Sequence, residues 1–304
     1  MRVALLSGGG GGARFARGLQ AVLAPGELTV VGNVGDDLEL FGLHVSPDLD
    51  SLLYALAGLL DEERGWGRAG ETWNALAAVA AWGGADWFRL GDLDLGLHLV
   101  RTHALRSGAS LSEVTARLAA RTGLATRLLP ATDDRLRTHV VTPAGTFPFQ
   151  EWYVARSHRD EVDGLRYEGA EEAEPAPGVL EALAEADAIL LAPSNPYLSL
   201  GPILAVPALR EALAGRSGRA LAVSPLVGGK AVTGPLDRML RRMAGGTTAA
   251  HVAGLYAGLV DVLVVDPADA AADAPVELAT APLLMTDRGS ERRLAEAVLE
   301  IACA

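Results

Sequence analysis

Residues 3–14 read VALLSGGGGGAR, an apolar run that leads into five consecutive glycines, and this stretch decides the fold. The apolar run has the length of a buried strand, and helical periodicity follows from Ala13 to Leu23. Because glycine has no Cβ atom, such a turn can approach a phosphate closely while the N-terminus of the helix attracts its charge. The alternative is an ordinary flexible turn, since the run lacks the Gly-Lys-Ser/Thr of a P-loop. We assign nucleotide binding to Gly8, Gly9, Gly10, Gly11 and Gly12.

Four more short apolar runs lie along the chain, at 28–31, 188–192, 220–223 and 262–265. Runs of this kind are typical of strands buried on both faces of a parallel sheet, and helical patterns lie next to most of them. We therefore predict one α/β domain over residues 1–304, with a Rossmann-like, mostly parallel sheet and helices on both faces. Long Ala/Leu periodic segments predict a largely helical insertion over 51–129. Residues 164–177, rich in Glu, Pro and Gly, are expected to form an exposed loop.

Composition excludes several classes of function. The 304 residues include 26 basic and 38 acidic side chains, and the net charge of -12 argues against binding to nucleic acid or to a membrane surface. The single cysteine, Cys303, allows no intrachain disulfide and makes a thiolate metal site implausible. No apolar stretch reaches the roughly 20 residues that span a bilayer. We expect a cytoplasmic protein.

Two acidic segments follow the second predicted strand: GNVGDD at 32–37 and SPDLDS at 46–51. Four carboxylates within fifteen positions are costly to bring together unless a cation neutralises them. Hard oxygen ligands favour Mg²⁺, and Mg²⁺ beside a glycine turn implies a diphosphate. The competing interpretation is that Asp48 caps a helix starting near Leu49 and that Asp36 lies on the surface.

Two further motifs carry polar side chains. In LGDLD and the residues after it, a helix starting near Asp94 would place Asp94, His98 and Arg101 on one face, where they can orient a hydroxyl nucleophile and stabilise charge on a phosphoryl group. Ser194 and Asn195 stand between two prolines at the end of a predicted strand and offer donors to a base or a phosphate. The alternatives are capping or surface roles for the first group and ordinary turn chemistry for the second.

The ordered series of segments resembles one family. SGGGGGARF, VGNVGDD, SPDLDS, LGDLD, RSGASLSEVT, LPATDD, FQEW, APSNPYLSLGPIL and VSPLVGG follow one another from residue 5 to about residue 235. Each segment is weak alone, but the series is similar to the CofD/FbiA family, the 2-phospho-L-lactate transferases of coenzyme F-420 biosynthesis.

This resemblance implies a Mg²⁺-dependent homodimer with a helical insertion beside the acceptor site. The donor is lactyl- or enolpyruvyl-diphosphoguanosine, the terminal ribityl hydroxyl of the deazaflavin Fo attacks the phosphorus that bears the acid, and GMP leaves. The lactyl, enolpyruvyl and glyceryl groups differ by only a few atoms, so no single residue reports which acid is transferred.

The resemblance also carries roles to particular positions. It implies catalytic roles for Asp37, Asp50, Asp94, His98 and Arg101, with Asp37 and Asp50 as metal ligands. It places the donor against the glycines, Asn33, Ser194 and Asn195, and the acceptor Fo against Asp50, Asp92 and Leu93. This chain departs from the family pattern in two places: Leu93 stands where a basic residue is usual, and Gly10 stands where threonine is frequent.

Two other functions compete with the transferase. A regulatory protein similar to the gluconeogenesis factor YvcK would share the fold and the glycine-rich start but bind a nucleotide sugar. A NAD-dependent oxidoreductase would share the strand, glycine turn and helix. The clustered aspartates argue against the oxidoreductase, and the SPDLDS and LGDLD segments favour the transferase over the regulator.

Overall fold

A seven-stranded sheet forms the centre of the molecule in this computed structural model, which describes residues 1–270 and 273–304. In chain order the strands are β1 (Val3–Ser7), β2 (Leu28–Gly32), β3 (Leu38–Leu40), β4 (Leu43–Val45), β5 (Arg127–Pro130), β6 (Arg137–Thr142), β7 (Gly145–Pro148), β8 (Gly164–Glu168), β9 (Ala188–Leu191), β10 (Arg219–Val223), β11 (Leu226–Val227), β12 (Lys230–Ala231), β13 (Val262–Val265) and β14 (Glu277–Thr280).

Eleven α-helices occur among the described residues. They are α1 (Gly9–Val22), α2 (Pro47–Leu56), α3 (Asn74–Ala81), α4 (Asp92–Arg106), α5 (Leu111–Arg121), α6 (Val179–Glu185), α7 (Leu200–Leu204), α8 (Pro207–Ala214), α9 (Leu236–Met243), α10 (Ala249–Leu255) and α11 (Arg288–Cys303). A π-helical turn spans Glu151–Ala155 and a 3₁₀ turn spans Pro267–Asp269. Within the described part of the chain, no helix has both the length and the apolar character needed to cross a membrane.

The central sheet is parallel throughout, in the order β14-β13-β10-β9-β1-β2-β5. Strands β1, β9 and β13 are buried along their whole length, as their continuous apolar sequences predict. The chain runs outward from β1 in one direction and returns to its other side with β9, so the strand order reverses between these two neighbours. Open parallel sheets bind ligands at the carboxyl ends of the strands beside such a reversal. The predicted Rossmann-like α/β class is confirmed.

The sheet differs from the prediction at its edges. All five predicted strands are present, but β5 and β14 were not predicted, because each has only two consecutive apolar residues, between Arg127 and Pro130 in β5 and between Glu277 and Thr280 in β14. Strand β5 begins at Arg127, so the helices α2 to α5 end before the boundary expected for the insertion at residue 129. The expected loop over 164–177 begins instead with β8, which pairs with β6 in a three-stranded antiparallel sheet. Strand β8 was not predicted because its sequence, GLRYE, contains no continuous apolar run.

Helix α1 packs between α2 and the C-terminal helix α11. The closest approach is at Gly18, where an added Cβ atom would overlap the backbone carbonyl of Glu291. Next to it, the buried Arg17 guanidinium donates to the Glu291 carboxylate at 2.8 and 2.7 Å. The helix therefore meets α11 through backbone contact and a buried ion pair.

Replacing Gly18 with alanine is expected to lower the free energy of unfolding by about 1–3 kcal/mol, because the new methyl group has no room against α11. Gly254→Ala is the matched control, since it lies in helix α10 with nothing within 4 Å of its Cβ position. That change should be neutral or stabilise by roughly 0.5–1 kcal/mol through helix propensity. Chemical denaturation of both variants checks the pair, and a stabilised Gly18→Ala protein would contradict the packing described here.

Candidate functional site

A cleft of about 740 Å³ opens at the carboxyl ends of the central strands. Its lining includes the turns that follow β1, β2, β9 and β10, represented by Gly8, Asp36, Ser194 and Ser224. Helices α2 and α4 supply the opposite wall. The cleft thus lies where the reversal of strand order places a ligand site.

The glycine turn forms the floor of the cleft. Helix α1 begins at Gly9, whose φ of +69° lies in the left-handed region that favours glycine. A Cβ atom on Gly8 would overlap the Asp48 carboxylate, and one on Gly12 would overlap the Ser7 hydroxyl. Gly8 to Gly11 line the cleft, whereas Gly12 packs beneath it. The Gly9 N–H donates to Asp48, so the N–H groups of Gly10 and Gly11, which also belong to the first turn of α1, are the ones that can receive an anion.

Asp48 ties this turn to the next strand of the sheet. Its carboxylate accepts from the Gly9 N–H at 2.6 Å and from the Asn33 side-chain amide at 2.9 Å. Asn33 in turn accepts from the Gly35 N–H at 2.8 Å, so it holds Asp48 and does not itself line the cleft. Burial raises the pKa of Asp48 to about 6. The alternative in which Asp48 caps the following helix is wrong, because its carboxylate faces the glycine turn.

The two adjacent aspartates point in different directions. Asp36 lines the cleft and is buried, so the alternative that places it on the surface is wrong. Its Oδ2 accepts from the Gln150 amide at 3.3 Å, while its Oδ1 has no partner among the described residues. Burial, followed by the charges of Asp48 and Asp37, raises the pKa of Asp36 well above its ordinary value. Three carboxylates are therefore close enough to repel one another.

Asp37 lies behind the cleft wall. Its Oδ2 accepts from the Ser46 hydroxyl at 3.0 Å and is 2.9 Å from His44 Nε2. Its Oδ1 is buried and has no partner in the described structure. Asp37 does not line the cleft, so of the two aspartates it is Asp36 that faces the cavity.

Helix α4 presents the predicted polar face. Asp94, His98 and Arg101 are all buried on one side of it, which confirms the spacing argument. Arg101 is 1% exposed and pairs with both carboxylate oxygens of Asp50. It also donates to His98 Nδ1 at 3.1 Å. Because a guanidinium can only donate, the imidazole proton is assigned to Nε2, and burial lowers the pKa of His98 to about 4, which keeps the ring neutral at physiological pH.

Asp94 is the carboxylate of this face that reaches the cleft without an ionic partner. The Tyr54 hydroxyl donates to its Oδ1 at 2.5 Å. Burial raises the pKa of Asp94 to about 6, although the Tyr54 hydrogen bond acts to lower it. Asp94, His98 and Asp50 line the cavity, whereas Arg101 stands behind Asp50.

The two predicted acceptor residues at the start of α4 lie outside the cleft lining. Asp92 accepts from the N–H groups of Asn74 at 3.1 Å and Ala75 at 2.9 Å, so it caps α3. A hydrogen bond from Thr72 is the main cause that lowers the pKa of Asp92 to about 2. Leu93 is 40% exposed on the outer side of the helix. Both residues shape the segment beside the cleft from outside it.

Ser194 and Asn195 line the cleft on the far side of the glycine turn. The Ser194 hydroxyl donates to the Gly8 carbonyl at 2.6 Å. Asn195 Oδ1 accepts from the N–H groups of Tyr197 at 2.9 Å and Leu198 at 3.1 Å. Both side chains thus stabilise turns, which agrees with the alternative of ordinary turn chemistry, and they also border the cavity.

The sequence analysis missed three arginines and several aromatic side chains of the cleft wall. The arginines are Arg14, Arg64 and Arg89, and the aromatic residues are Trp66, Phe88, Phe149 and Tyr153. Arg14 follows the glycine run directly, which is a signal that could have found it. Phe149 begins the FQEW segment and Arg89 directly precedes LGDLD, whereas Arg64, Trp66, Phe88 and Tyr153 belong to none of the quoted motifs. These cations give an acidic protein a cleft that can receive an anionic ligand.

The cleft fits a divalent cation only together with a ligand. Among residues 1–270 and 273–304, no three His, Cys, Asp or Glu side chains are arranged to hold an ion. Asp36 and Asp48 do face the cavity and repel one another, and Asp36 has an oxygen without a partner. Mg²⁺ is usually held by one or two carboxylates plus substrate phosphates, so the donor set suits it. Asp50 could join such a set only by releasing Arg101.

The chain is similar to known proteins over nearly its whole length. The Kitasatospora aureofaciens phosphoenolpyruvate transferase is 47% identical, with 99% of this chain and 98% of that protein covered. The Mycolicibacterium smegmatis phosphoenolpyruvate transferase is 41% identical, with 99% of both covered. A Bacillus halodurans structure of the UPF0052 family shares the fold, with a TM-score of 0.64, 16% identity and 98% of each chain covered. The family profile described as 2-phospho-L-lactate transferase CofD matches residues 3–296, and the chain therefore belongs to the CofD family.

Proposed function

We propose that the protein transfers a phosphorylated three-carbon acid from a guanosine diphospho donor to the deazaflavin Fo and releases GMP, a step of coenzyme F-420 biosynthesis. The observation that carries the proposal is the glycine turn at the N-terminus of α1, which shares one cleft with the Asp94 and His98 side chains. Membership of the CofD family supports it. The names of the relatives favour phosphoenolpyruvyl over phospholactyl as the group transferred.

In the proposed reaction the donor diphosphate lies on the N–H groups of α1. The terminal ribityl hydroxyl oxygen of Fo bonds to the phosphorus that carries the acid, and the bond from that phosphorus to the oxygen of GMP breaks. GMP leaves with the electron pair of that bond, and the hydroxyl proton passes to Asp94. Positioning and neutralisation of charge provide most of the catalysis in phosphoryl transfer.

Each polar side chain of the α4 face has a separate task. Asp94 is largely ionised at neutral pH and lines the cleft, so it can accept the hydroxyl proton. Neutral His98 can donate from Nε2 to an oxygen that gains charge. Asp50 orients the acceptor, and Arg101 fixes Asp50 from behind.

We further propose that Mg²⁺ binds at Asp36 and Asp48, with Asp37 behind them, and neutralises the diphosphate. Mutual repulsion of these carboxylates and the partnerless oxygen of Asp36 support the assignment. Family resemblance also leads us to propose a homodimer, which sedimentation of the protein can check.

Incubation with Fo, Mg²⁺ and each guanylylated donor tests the function directly. Anion exchange and mass spectrometry should show a more anionic deazaflavin and GMP in equal amounts. With lactyl, enolpyruvyl and glyceryl donors mixed, the enolpyruvyl product is expected to dominate. Absence of any modified Fo with all three donors would refute the proposal.

The pH dependence of turnover tests Asp94 as the proton acceptor. Because Asp94 must be ionised, the logarithm of kcat should rise with a slope near one below pH about 6 and level off above it. Asp94→Asn should lower kcat by about 10²- to 10⁴-fold. Tyr54→Phe removes the hydrogen bond that lowers the pKa of Asp94, so the rising limb should move to higher pH. An unmoved limb in Tyr54→Phe would argue against this role.

Thermal unfolding at several pH values tests the carboxylate cluster. The native pKa of Asp36 is raised, so native protein keeps a proton that the unfolded chain has lost, and the free energy of unfolding falls as pH rises toward that native pKa. Asp36→Asn removes this penalty and should stabilise the metal-free protein at pH 8 by roughly 1–3 kcal/mol. At pH 8, Mg²⁺ should stabilise the wild-type protein more than it stabilises the Asp36→Asn variant. Equal stabilisation of both would exclude Asp36 as a ligand.

A further inference from the structure

The segment 61–68, here called the Arg64 loop, forms a cleft wall that the proposed function has not yet used. It follows α2 and closes on itself through the Asp61 N–H to Gly67 carbonyl bond at 3.0 Å and the Gly65 N–H to Asp61 carbonyl bond at 2.9 Å. Arg64, Gly65 and Trp66 all line the cleft. The loop is thus a closed structural unit that presents one cation to the cavity.

The Arg64 loop bridges the two halves of the cleft. On one side, Gly65 lies next to Arg14, in the first turns of α1, and its carbonyl is the nearest atom to the Cβ position of Gly10, at 3.9 Å. On the other side, the Trp66 ring centroid is 6.4 Å from that of Trp73, the residue before α3. A group carried on a diphosphate at the glycine turn would therefore pass this loop on its way to the α4 face.

Arg64 itself is held in place but keeps a donor free. Its Nη2 donates to the Arg68 carbonyl at 2.7 Å and is 2.9 Å from Asp61 Oδ2. Its guanidinium carbon stands 5.6 Å from the Trp66 ring centroid and 5.4 Å from that of Trp73. Its Nε is buried with no partner among the described residues. Leaving a buried donor unpaired is costly, so an anionic ligand would offset that cost.

An ion cluster in which Arg17 and Glu291 are buried and Glu62 is half exposed fixes where the loop lies. Arg17, 4% exposed, donates to Glu62 at 2.6 and 3.3 Å while it also holds Glu291. Glu62 accepts in addition from Arg288 Nη2 at 2.8 Å. The loop is therefore anchored on α1, the same helix whose N-terminus forms the glycine turn. Such support from behind holds a binding residue in its productive position.

We propose that Arg64 binds the carboxylate of the three-carbon acid and that Glu62, through Arg17, is the positioning residue for it. The nature of the donor rests on the proposed function. A planar guanidinium suits a carboxylate, whereas the aspartates that line the rest of the cleft repel one. Arg14 lies beside the glycine turn, where the diphosphate needs its charge. Arg89 also lines the cleft, with its guanidinium carbon 4.9 Å from the Trp73 ring centroid, but it belongs to the segment that leads into α4. Of these two arginines, Arg64 is the one whose loop contacts the glycine turn.

Calorimetric binding to three ligands tests the assignment: enolpyruvyl-diphosphoguanosine, GDP, and ethyl-diphosphoguanosine, which lacks the carboxylate. Arg64→Met should weaken binding of enolpyruvyl-diphosphoguanosine by about 10- to 100-fold, as expected for loss of a hydrogen-bonded charge. Binding of GDP and of ethyl-diphosphoguanosine should change less than about twofold. Arg64→Lys, which keeps the charge, should lose less. Equal losses for GDP would overturn the proposal in favour of a diphosphate role, and unchanged binding of all three would overturn it outright.

A second pair of variants tests the positioning role. Glu62→Ala should weaken binding of the enolpyruvyl donor selectively, and its effect should largely vanish in the Arg64→Met background, because Glu62 acts through Arg64. A merely structural role would weaken GDP equally and add to the Arg64 effect, which would overturn the positioning role. Arg288→Met is the control, since it removes the other partner of Glu62 and leaves the bond to Arg17.

These measurements separate the two proposals. If wild-type protein binds the donor but never modifies Fo, the proposed function fails while the comparison of ligands still decides the role of Arg64. If transfer occurs but Arg64→Met weakens the ligands with and without the carboxylate to the same extent, only the inference about Arg64 fails. Circular dichroism and thermal unfolding of Arg64→Met establish that it is folded, and Arg64→Lys supplies the comparison should it not fold.

Discussion

The bond from the Gly9 N–H to the Asp48 carboxylate, 2.6 Å long, is the contact on which the cleft depends. It joins the turn after β1 to α2, the first helix after β2 in the chain, and β1 and β2 are neighbours in the sheet. Only a residue without a side chain at position 8 leaves room for that carboxylate. Asn33, at the end of β2, completes the link. The acidic cluster, the glycine turn and the first N–H groups of α1 are thereby held in one place.

The electrostatics of the cleft work against the stability of the free protein. The carboxylates of Asp36, Asp37 and Asp48 repel one another beside the glycine turn, and the raised pKa values of Asp36 and Asp48 express that cost. On the acceptor side, the protein itself compensates the charge of Asp50, because the buried Arg101 neutralises it. The cation that we propose at Asp36 and Asp48 would relieve this repulsion, and its binding would therefore stabilise the folded protein.

The sequence predicted the parts of the structure that depend on local pattern. Inner strands such as β1 and β9 were visible as apolar runs because both faces are buried, whereas the edge strands β5 and β14 lack that signature. The polar face of α4 followed from helical spacing. The sequence did not predict the direction in which each aspartate points. Asp36 and Asp37 are adjacent, and only tertiary contacts with Gln150 and Ser46 decide which one faces the cavity. The loop that carries Arg64 is placed by the bond from Arg17 to Glu62, and these two residues are 45 positions apart, so no local pattern reveals the contact.

The anchor of the Arg64 loop also has a consequence for biosynthesis. Arg17 and Glu291 are separated by 274 positions, so the guanidinium emerges from the ribosome long before the carboxylate that will bury it. Until α11 has been made, Glu62 is therefore the only one of these two carboxylates that can pair with Arg17. The full set of bonds that anchors the Arg64 loop on α1 is complete only when α11 has docked.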